Sequence, residues 1–249
     1  MKACVDLNAD LGEGVAWESE LLLLVTSANI ACGFHAGDPA IMKESILAAQ
    51  AAGVAVGAHP SLADRENFGR REQVVTPDEV FSLMTYQVGA FQALATSLGA
   101  EPRHVKPHGA LYNMSARYPS LAEAVARAVQ AVDRRLVLFA PGGSALAQAG
   151  EAAGLTIARE VFADRNYLAD GSLVPRSRAD AVLHDPAMAP ARVLRMLRTG
   201  LVQTVAGNDV GIEADTICVH GDTPEAVGFA RQLRVALEAA GMTLARPIN

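Results

Sequence analysis

The stretch Gly53-Val54-Ala55-Val56-Gly57-Ala58-His59-Pro60 carries the pattern on which the fold reading turns. Val54–Ala58 is short, small and continuously apolar, and it stops at an imidazole and a proline. A run of that length without polar alternation reads as a parallel strand buried on both faces. Upstream, Asp38 followed by Pro39 has the form of an N-cap with proline at the first helical position, and Gly53 closes that helix. Downstream, Thr76-Pro77-Asp78-Glu79 has the capping-box pattern, opening a helix that Gly99 ends. The unit is strand, polar or glycine-rich turn, helix.

That unit recurs along the chain. Apolar runs at Ala3–Leu7, Ala28–Cys32, His104–Lys106, Leu136–Ala140, Thr156–Val161 and Thr216–Val219 join Val54–Ala58 as expected strands. Further helices are expected at Leu121–Val132, Ser144–Ala153, Ala191–Thr199 and from Thr223-Pro224 to Gly241. Between Gly200 and Asp215 the alternation lapses, and Gly207-Asn208-Asp209 marks a small hairpin. No linker, repeat or low-complexity tract divides the sequence, so residues 1–249 read as one domain, a length that a single α/β barrel commonly occupies. Polar residues follow nearly every apolar run, which suits the convergent mouth of a closed barrel. An open sheet would gather them at one switch point. The sequence therefore predicts an α/β fold: a (β/α) barrel, seven-stranded and irregular.

Composition narrows the function classes. Lys and Arg number 21 against 27 Asp and Glu, and the net charge of −6 is interspersed, which argues against a nucleic-acid footprint. With 51% apolar and 19% charged residues the chain is globular rather than disordered. Asp6, Asn8, Asp10 and Glu13 interrupt any signal-peptide core, and the densest apolar run, Leu21 to Val25, is far too short to span a membrane. Cys4, Cys32 and Cys218 form no CxxC pair and read as small buried thiols. The expected compartment is the cytoplasm.

The chemistry gathers where the strands end. Asp6-Leu7-Asn8-Ala9-Asp10-Leu11-Gly12-Glu13 puts Asp6, Asn8 and Asp10 on one side of an extended chain. Such a row can hold a cation, orient a histidine or bind a polar substrate, and it can equally be a solvated turn. His35 stands between glycines before Asp38, His59 ends the Val54–Ala58 run, and Lys106 and His108 lie two apart. Asp164-Arg165 and His220-Gly221-Asp222 follow later runs. Histidines 35, 59, 108, 184 and 220 all occur in turn-like stretches near strand ends or proline. One such histidine is most often structural. Histidines at four strand ends together with Lys106 point to a shared active site.

Several longer motifs carry a resemblance. Asp-Leu-Asn-Ala-Asp-Leu-Gly-Glu at 6–13, Ser-Ala-Asn-Ile-Ala-Cys-Gly-Phe-His-Ala-Gly-Asp-Pro at 27–39, Gly-Val-Ala-Val-Gly-Ala-His-Pro at 53–60 and His-Val-Lys-Pro-His-Gly-Ala-Leu-Tyr-Asn at 104–113 are similar to the A-subunit family of the bacterial 5-oxoprolinases, also called the LamB/YcsF family. Glu-Val-Phe-Ala-Asp-Arg at 160–165 and Ile-Cys-Val-His-Gly-Asp at 217–222 extend the likeness over essentially the whole chain. The resemblance implies a barrel related to the glycoside hydrolase/deacetylase fold, ATP-dependent opening of 5-oxoproline to glutamate, and two further subunits, B and C. The stretch from Gly14 to Leu21 is several residues shorter than is usual in the family.

A lactam is a resonance-stabilised amide, and opening it needs a nucleophile, a cation or donor for the oxyanion, and an acid for the departing nitrogen. The expected catalytic residues are Asp6, His35, His59, Lys106 and His108, with Asn8, Asn29, Arg165 and His220 binding substrate. Lys106 and Arg165 supply positive charge, the histidines carry protons near neutral pH, and Asp6 is a base or an orienter of an imidazole. No Gly-x-x-x-x-Gly-Lys-Ser/Thr occurs, and Pro141-Gly142-Gly143-Ser144 lacks the lysine and the spacing, so ATP is expected to bind with or on the partner subunits. Two alternatives stand beside this reading. One is a metal-dependent deacetylase or amidohydrolase using Asp10, His35 and His59, although no tight His-x-x-x-His pair is present. The other is a non-catalytic chain that activates its partners. The sequence leaves open whether a divalent metal is required.

Overall fold

Leu7, Ala9 and Leu11 alternate with Asp6, Asn8 and Asp10 along the first strand, and the chain stays extended through all of them: β1 is Cys4–Leu11. The expected end at Leu7 is corrected, because the polar residues belong to the strand's inner face rather than to a turn. The computed structural model describes residues 4–183, 185, 187–219 and 226–247. His184, His220 and the Thr223-Pro224 helix start lie outside the described residues.

The remaining strands are β2 (Ser27–Ala31), β3 (Ala55–His59), β4 (Pro102–Val105), β5 (Val137–Pro141), β6 (Ile157–Phe162), β7 (Leu201–Gln203), β8 (Asp209–Gly211), β9 (Thr216–Val219) and β10 (Thr243–Leu244). β1 through β6 pair in order and in parallel, β6 pairs with β9, and β9 returns to β1. Asn8 is thus in register with Ser27 on one side and Cys218 on the other, which closes a seven-stranded parallel barrel. β10 adds two residues beside Cys4 and Val5, and β7 and β8 form the expected antiparallel hairpin.

The helices are α1 (Glu18–Leu22), α2 (Pro39–Ala51), α3 (Pro77–Ser97), α4 (Gly109–Arg117), α5 (Pro119–Asp133), α6 (Ala145–Ala152), α7 (Met188–Thr199) and α8 (Ala226–Ala239). Asp38 caps α2 through the Ala40 and Ile41 amides, and Thr76 and Glu79 form the capping box of α3. α7 starts at Met188 rather than Ala191, since Pro190 lies in the first turn, where no intrahelical N–H is needed. Among the described residues no helix is long and apolar enough to cross a membrane.

Outward-facing strand residues such as Leu7, Ile30, Ala58, Val105, Leu138 and Val161 join helix residues such as Ile46, Met84, Phe91 and Leu233 in one continuous buried layer. This layer, between barrel and helices, supplies the hydrophobic drive. The barrel interior is different. Val137, Phe139 and Ala158 form a small apolar plug, while Asp6, Asn8, Asp10, Ser27, Asn29, His104, Lys106, Glu160 and Thr216 are buried polar groups. Buried polar groups are tolerable only when paired. At one end, Asp6 accepts hydrogen bonds from the hydroxyls of Thr26 (2.6 Å), Ser27 (2.7 Å) and Thr216 (2.5 Å). Burial still outweighs these three donors and pushes the Asp6 carboxyl up to about 6. Midway, His104 stacks on Phe139 and donates from Nε2 to Asn29 Oδ1 at 2.8 Å. A Cβ at Gly57 would come within 2.2 Å of the His104 ring, so only glycine leaves room for it.

Candidate active site

Lys106 follows β4 and projects into the barrel, where its ammonium is 3% exposed. Nζ lies 3.0 Å from Asp10 Oδ1 and 2.9 Å from Glu160 Oε1, with Asn8 Oδ1 at 3.3 Å and Cys218 Sγ at 3.0 Å. Burial favours the neutral amine, but Asp10 and Glu160 overcome it and hold the Lys106 pKa well above the usual lysine value. Asn8 donates to Glu160 (3.1 Å) and Thr216 (2.7 Å), and Asn29 donates to Asn8 (2.7 Å) and to Asp10 Oδ1 (2.8 Å). The two asparagines therefore set the carboxylates that hold the lysine. Burial keeps the Cys218 thiol protonated despite the ammonium beside it, and burial with the Glu160 charge does the same for the Tyr112 phenol.

Above Lys106 sit three imidazoles. His59 Nδ1 is 2.7 Å from the Lys106 carbonyl and His108 Nε2 is 2.8 Å from the Phe68 carbonyl. Carbonyls only accept, so both of those nitrogens carry the hydrogen. Their other nitrogens, His59 Nε2 and His108 Nδ1, face each other at 2.9 Å. Asp10 Oδ2 lies 3.3 Å from His59 Nε2, and Glu13 Oε1 lies 3.1 Å from His35 Nε2 and 3.7 Å from His108 Nδ1. His35 stacks on His108 with centroids 3.8 Å apart. Burial, then the neighbouring His59, hold His35 down to about 2; burial, then His35 and His59, hold His108 well below the usual imidazole range. Among the described residues, the ligand atoms of these three histidines and Glu13 all lie within 4.8 Å of one another, a set that could hold a metal ion.

The loops are shaped to keep this geometry. Glu18 accepts from the backbone amides of Gly12, Glu13 and Gly14, each at 2.9 Å, and so fixes the loop that carries Glu13. Glu18 itself lies in the short Gly14–Leu21 stretch. Arg65 donates to the carbonyls of Gly33 (3.0 Å) and Gly37 (2.5 Å) on either side of His35. Phe68 takes a left-handed φ of 55°, uncommon for a bulky residue, which directs its carbonyl at His108 and its ring edge at both His35 and His108. Gly69 follows with φ 64°, and a Cβ there would come within 2.9 Å of His35.

A pocket of about 280 Å³ opens over these groups, at the small end of ligand clefts. Asp10, His59, Lys106, His108 and Arg165 line it, as do Arg70 and Arg176. Burial, aided by Arg176, lowers the Arg165 guanidinium to about 10; Arg165 also latches the Val174 (2.6 Å) and Ala181 (3.2 Å) carbonyls. Of the residues expected from sequence, His59, Lys106, His108 and Arg165 reach the pocket, and His35 packs against its histidines. Asn8 and Asn29 lie beneath it as supports for Asp10 and Lys106. Asp6 borders a separate cavity with Cys4, Val137 and Asp215, at the opposite end of the strands. The expected single lining that includes Asp6 is corrected: β1 carries Asp6 at its start and Asp10 near its end, so they face different openings. His220 lies outside the described residues. Sequence reasoning did not single out Glu160 or Phe68 as functional. Glu160 was findable, because it alternates with Phe162 on β6 just before Arg165.

Comparison with known proteins identifies the family and the fold. The chain is 52% identical over 249 residues to the A subunit of 5-oxoprolinase from Bordetella pertussis, covering 98% of this chain and 99% of the relative. It is similar to the crystal structure of a lactam utilization protein from Thermus thermophilus, with a TM-score of 0.91 and 43% identity over 98% of this chain and 99% of that one. A T48 deacetylase shares the barrel alone, at a TM-score of 0.51 and 16% identity over 98% of this chain and 87% of that one. The LamB/YcsF family model matches residues 5–249, from the first buried pair of β1 to the last residue, and the chain belongs to the LamB/YcsF family.

Proposed function

We propose that this chain is the A subunit of a 5-oxoprolinase, and that its barrel mouth holds 5-oxoproline while the lactam is opened to glutamate. The observation that carries this reading is a buried ammonium, Lys106, held by Asp10 and Glu160 beneath an imidazole bank in a pocket of amino-acid size. The relatives' names, a 5-oxoprolinase A subunit and a lactam utilization protein, support the substrate class. Arg165, Arg70 and Arg176 line the pocket and supply guanidinium groups suited to the substrate carboxylate. Lys106 brings an ammonium group to the floor of the site, where the lactam oxygen gains charge. His59 and His108 line the pocket beside the lactam amide. Asn8 and Asn29 act on the substrate through Asp10 and Lys106.

The sequence has no phosphate-cradling loop, so ATP is assigned to the B and C partners, and the complex to the cytoplasm. A metal-dependent amidohydrolase is the competing reading, favoured by the proximity of Glu13 to three histidines. The test is glutamate formation from 5-oxoproline by this chain alone, by the partners alone, and by the mixture, each with and without ATP. The proposal expects turnover only in the mixture with ATP. Turnover by the isolated chain without ATP would favour the amidohydrolase and refute the proposed place in a complex.

A further inference from the structure

We propose that Glu13, His35, His59 and His108 bind one divalent first-row transition cation of the zinc class. His59 Nδ1 and His108 Nε2 are committed as donors to the Lys106 and Phe68 carbonyls. In the neutral rings the inner nitrogens carry lone pairs, and they lie only 2.9 Å apart. Two lone pairs at that distance repel unless a proton or a metal cation lies between or beside them, and the two carboxylates at this point favour a cation. A carbonyl fixing the outer N–H of each ring is the arrangement that presents an imidazole nitrogen to a metal.

The distances agree. Zinc bonds imidazole nitrogen and carboxylate oxygen at about 2.0–2.2 Å, which places tetrahedral donors roughly 3.3–3.5 Å apart. Here the donor atoms are 2.9 Å (His59 to His108), 3.1 Å (His35 to Glu13) and 3.7 Å (His108 to Glu13) apart, and all four lie within 4.8 Å of one another. Shifts of a few tenths of an ångström bring these three separations to tetrahedral spacing, and the remaining pairs, all within 4.8 Å, close further around the cation. Asp10 Oδ2, 3.3 Å from His59 Nε2, adds a second carboxylate at the edge of the set. Charge points the same way, because Glu13 and Asp10 bring two carboxylates against the imidazole bank. Three imidazoles with a carboxylate suit zinc and its neighbours, whereas magnesium and calcium prefer all-oxygen sets.

The surrounding chain holds the ligands ready, through the Glu18 clasp on the Glu13 loop, the Arg65 bonds on either side of His35, and the left-handed Phe68. When bound, such a cation supplies Lewis-acid polarisation of a carbonyl oxygen. The site stands on geometry and is independent of the ring-opening reading.

The experiment is metal uptake by the purified full chain after chelation and dialysis, titrated with zinc and, separately, with cobalt(II). The expected result is one equivalent of either metal per chain. The cobalt form should show visible bands of a nitrogen and oxygen set, without the intense near-ultraviolet absorption of a thiolate ligand. His59→Gln and His108→Gln should each weaken uptake by more than about 100-fold, since even outer-shell changes cost about 10–100-fold. Glu13→Gln keeps the size and shape of a buried side chain, so it provides a variant less prone to misfolding, and its metal-free thermal midpoint should match the parent. Absence of saturable uptake by the parent, retention of full affinity in all three variants, or thiolate absorption from Cys32 or Cys218 would overturn the proposal. None of these outcomes depends on 5-oxoproline turnover.

Discussion

Replacing Lys106 by methionine tests how far the site depends on one buried ion network. Its ammonium contacts Asp10 at 3.0 Å and Glu160 at 2.9 Å, with all three groups buried. At an effective dielectric of about 20, each contact amounts to roughly 5–6 kcal/mol of attraction. Desolvating the three ions offsets most of that, so the pair sum is not the expected loss. What the variant leaves behind is decisive: two carboxylates in the barrel with no cation between them. Breaking a buried pair in this way costs about 3–5 kcal/mol, which for a chain of this length lowers the thermal midpoint by about 6–10 °C. The position at a strand's carboxyl end suggests the opposite from sequence, namely a replaceable mouth residue with little effect on stability. Urea unfolding at neutral pH measures the difference, and Lys106→Met with Glu160→Gln, which removes one stranded charge, should recover at least half of it. A midpoint within about 2 °C of the parent for Lys106→Met, or a double variant no better than the single one, would refute the reasoning.

Asp6→Asn should alter the pH dependence of stability. The Asp6 carboxyl is raised to about 6 in the fold against an ordinary 3.8, so below pH 3.8 it is protonated in both states, and above about 6 the folded state bears a buried charge that the unfolded chain carries in water. The parent should therefore lose about 3 kcal/mol relative to Asp6→Asn as pH rises from 4 to 7. Parallel urea profiles for the two proteins would contradict this. Gly57→Ala should cost about 1–3 kcal/mol by driving a methyl into the His104 ring, and a circular-dichroism melt that matches the parent would show that the ring can move aside. Thr76→Ala removes the capping box of α3 far from the pocket, and should cost about 1 kcal/mol in unfolding experiments with turnover in the complex unchanged.

The architecture was legible wherever local chemistry and the global fold agree. Asp38 and Thr76 cap the helices they were expected to open, and all seven expected strands meet in one barrel. β1 reads from sequence as ending at Leu7 because its inward residues are polar. The sequence pattern of a buried strand assumes an apolar interior, whereas this barrel has a hydrogen-bonded polar one. α1 has five residues, too few to show a helical period, and α4 starts within the His108-Gly109 motif without a side-chain cap. His35, His59, Lys106 and His108 converge, as their places after successive strands suggest. Phe68 could not have been found, because it acts through its backbone carbonyl and a left-handed φ, neither of which leaves a residue-type signal. Asp6 is misplaced by sequence reasoning because the alternation that groups it with Asn8 and Asp10 says nothing about depth along the barrel axis.

A crystal structure of this protein with 5-oxoproline bound decides where the substrate sits. The lactam is expected in the pocket above Lys106, its carboxylate toward Arg165, Arg70 and Arg176, and its ring amide facing His59 and His108. Ordered 5-oxoproline elsewhere, for example in the cavity beside Asp6 at the opposite end of the strands, would contradict that placement.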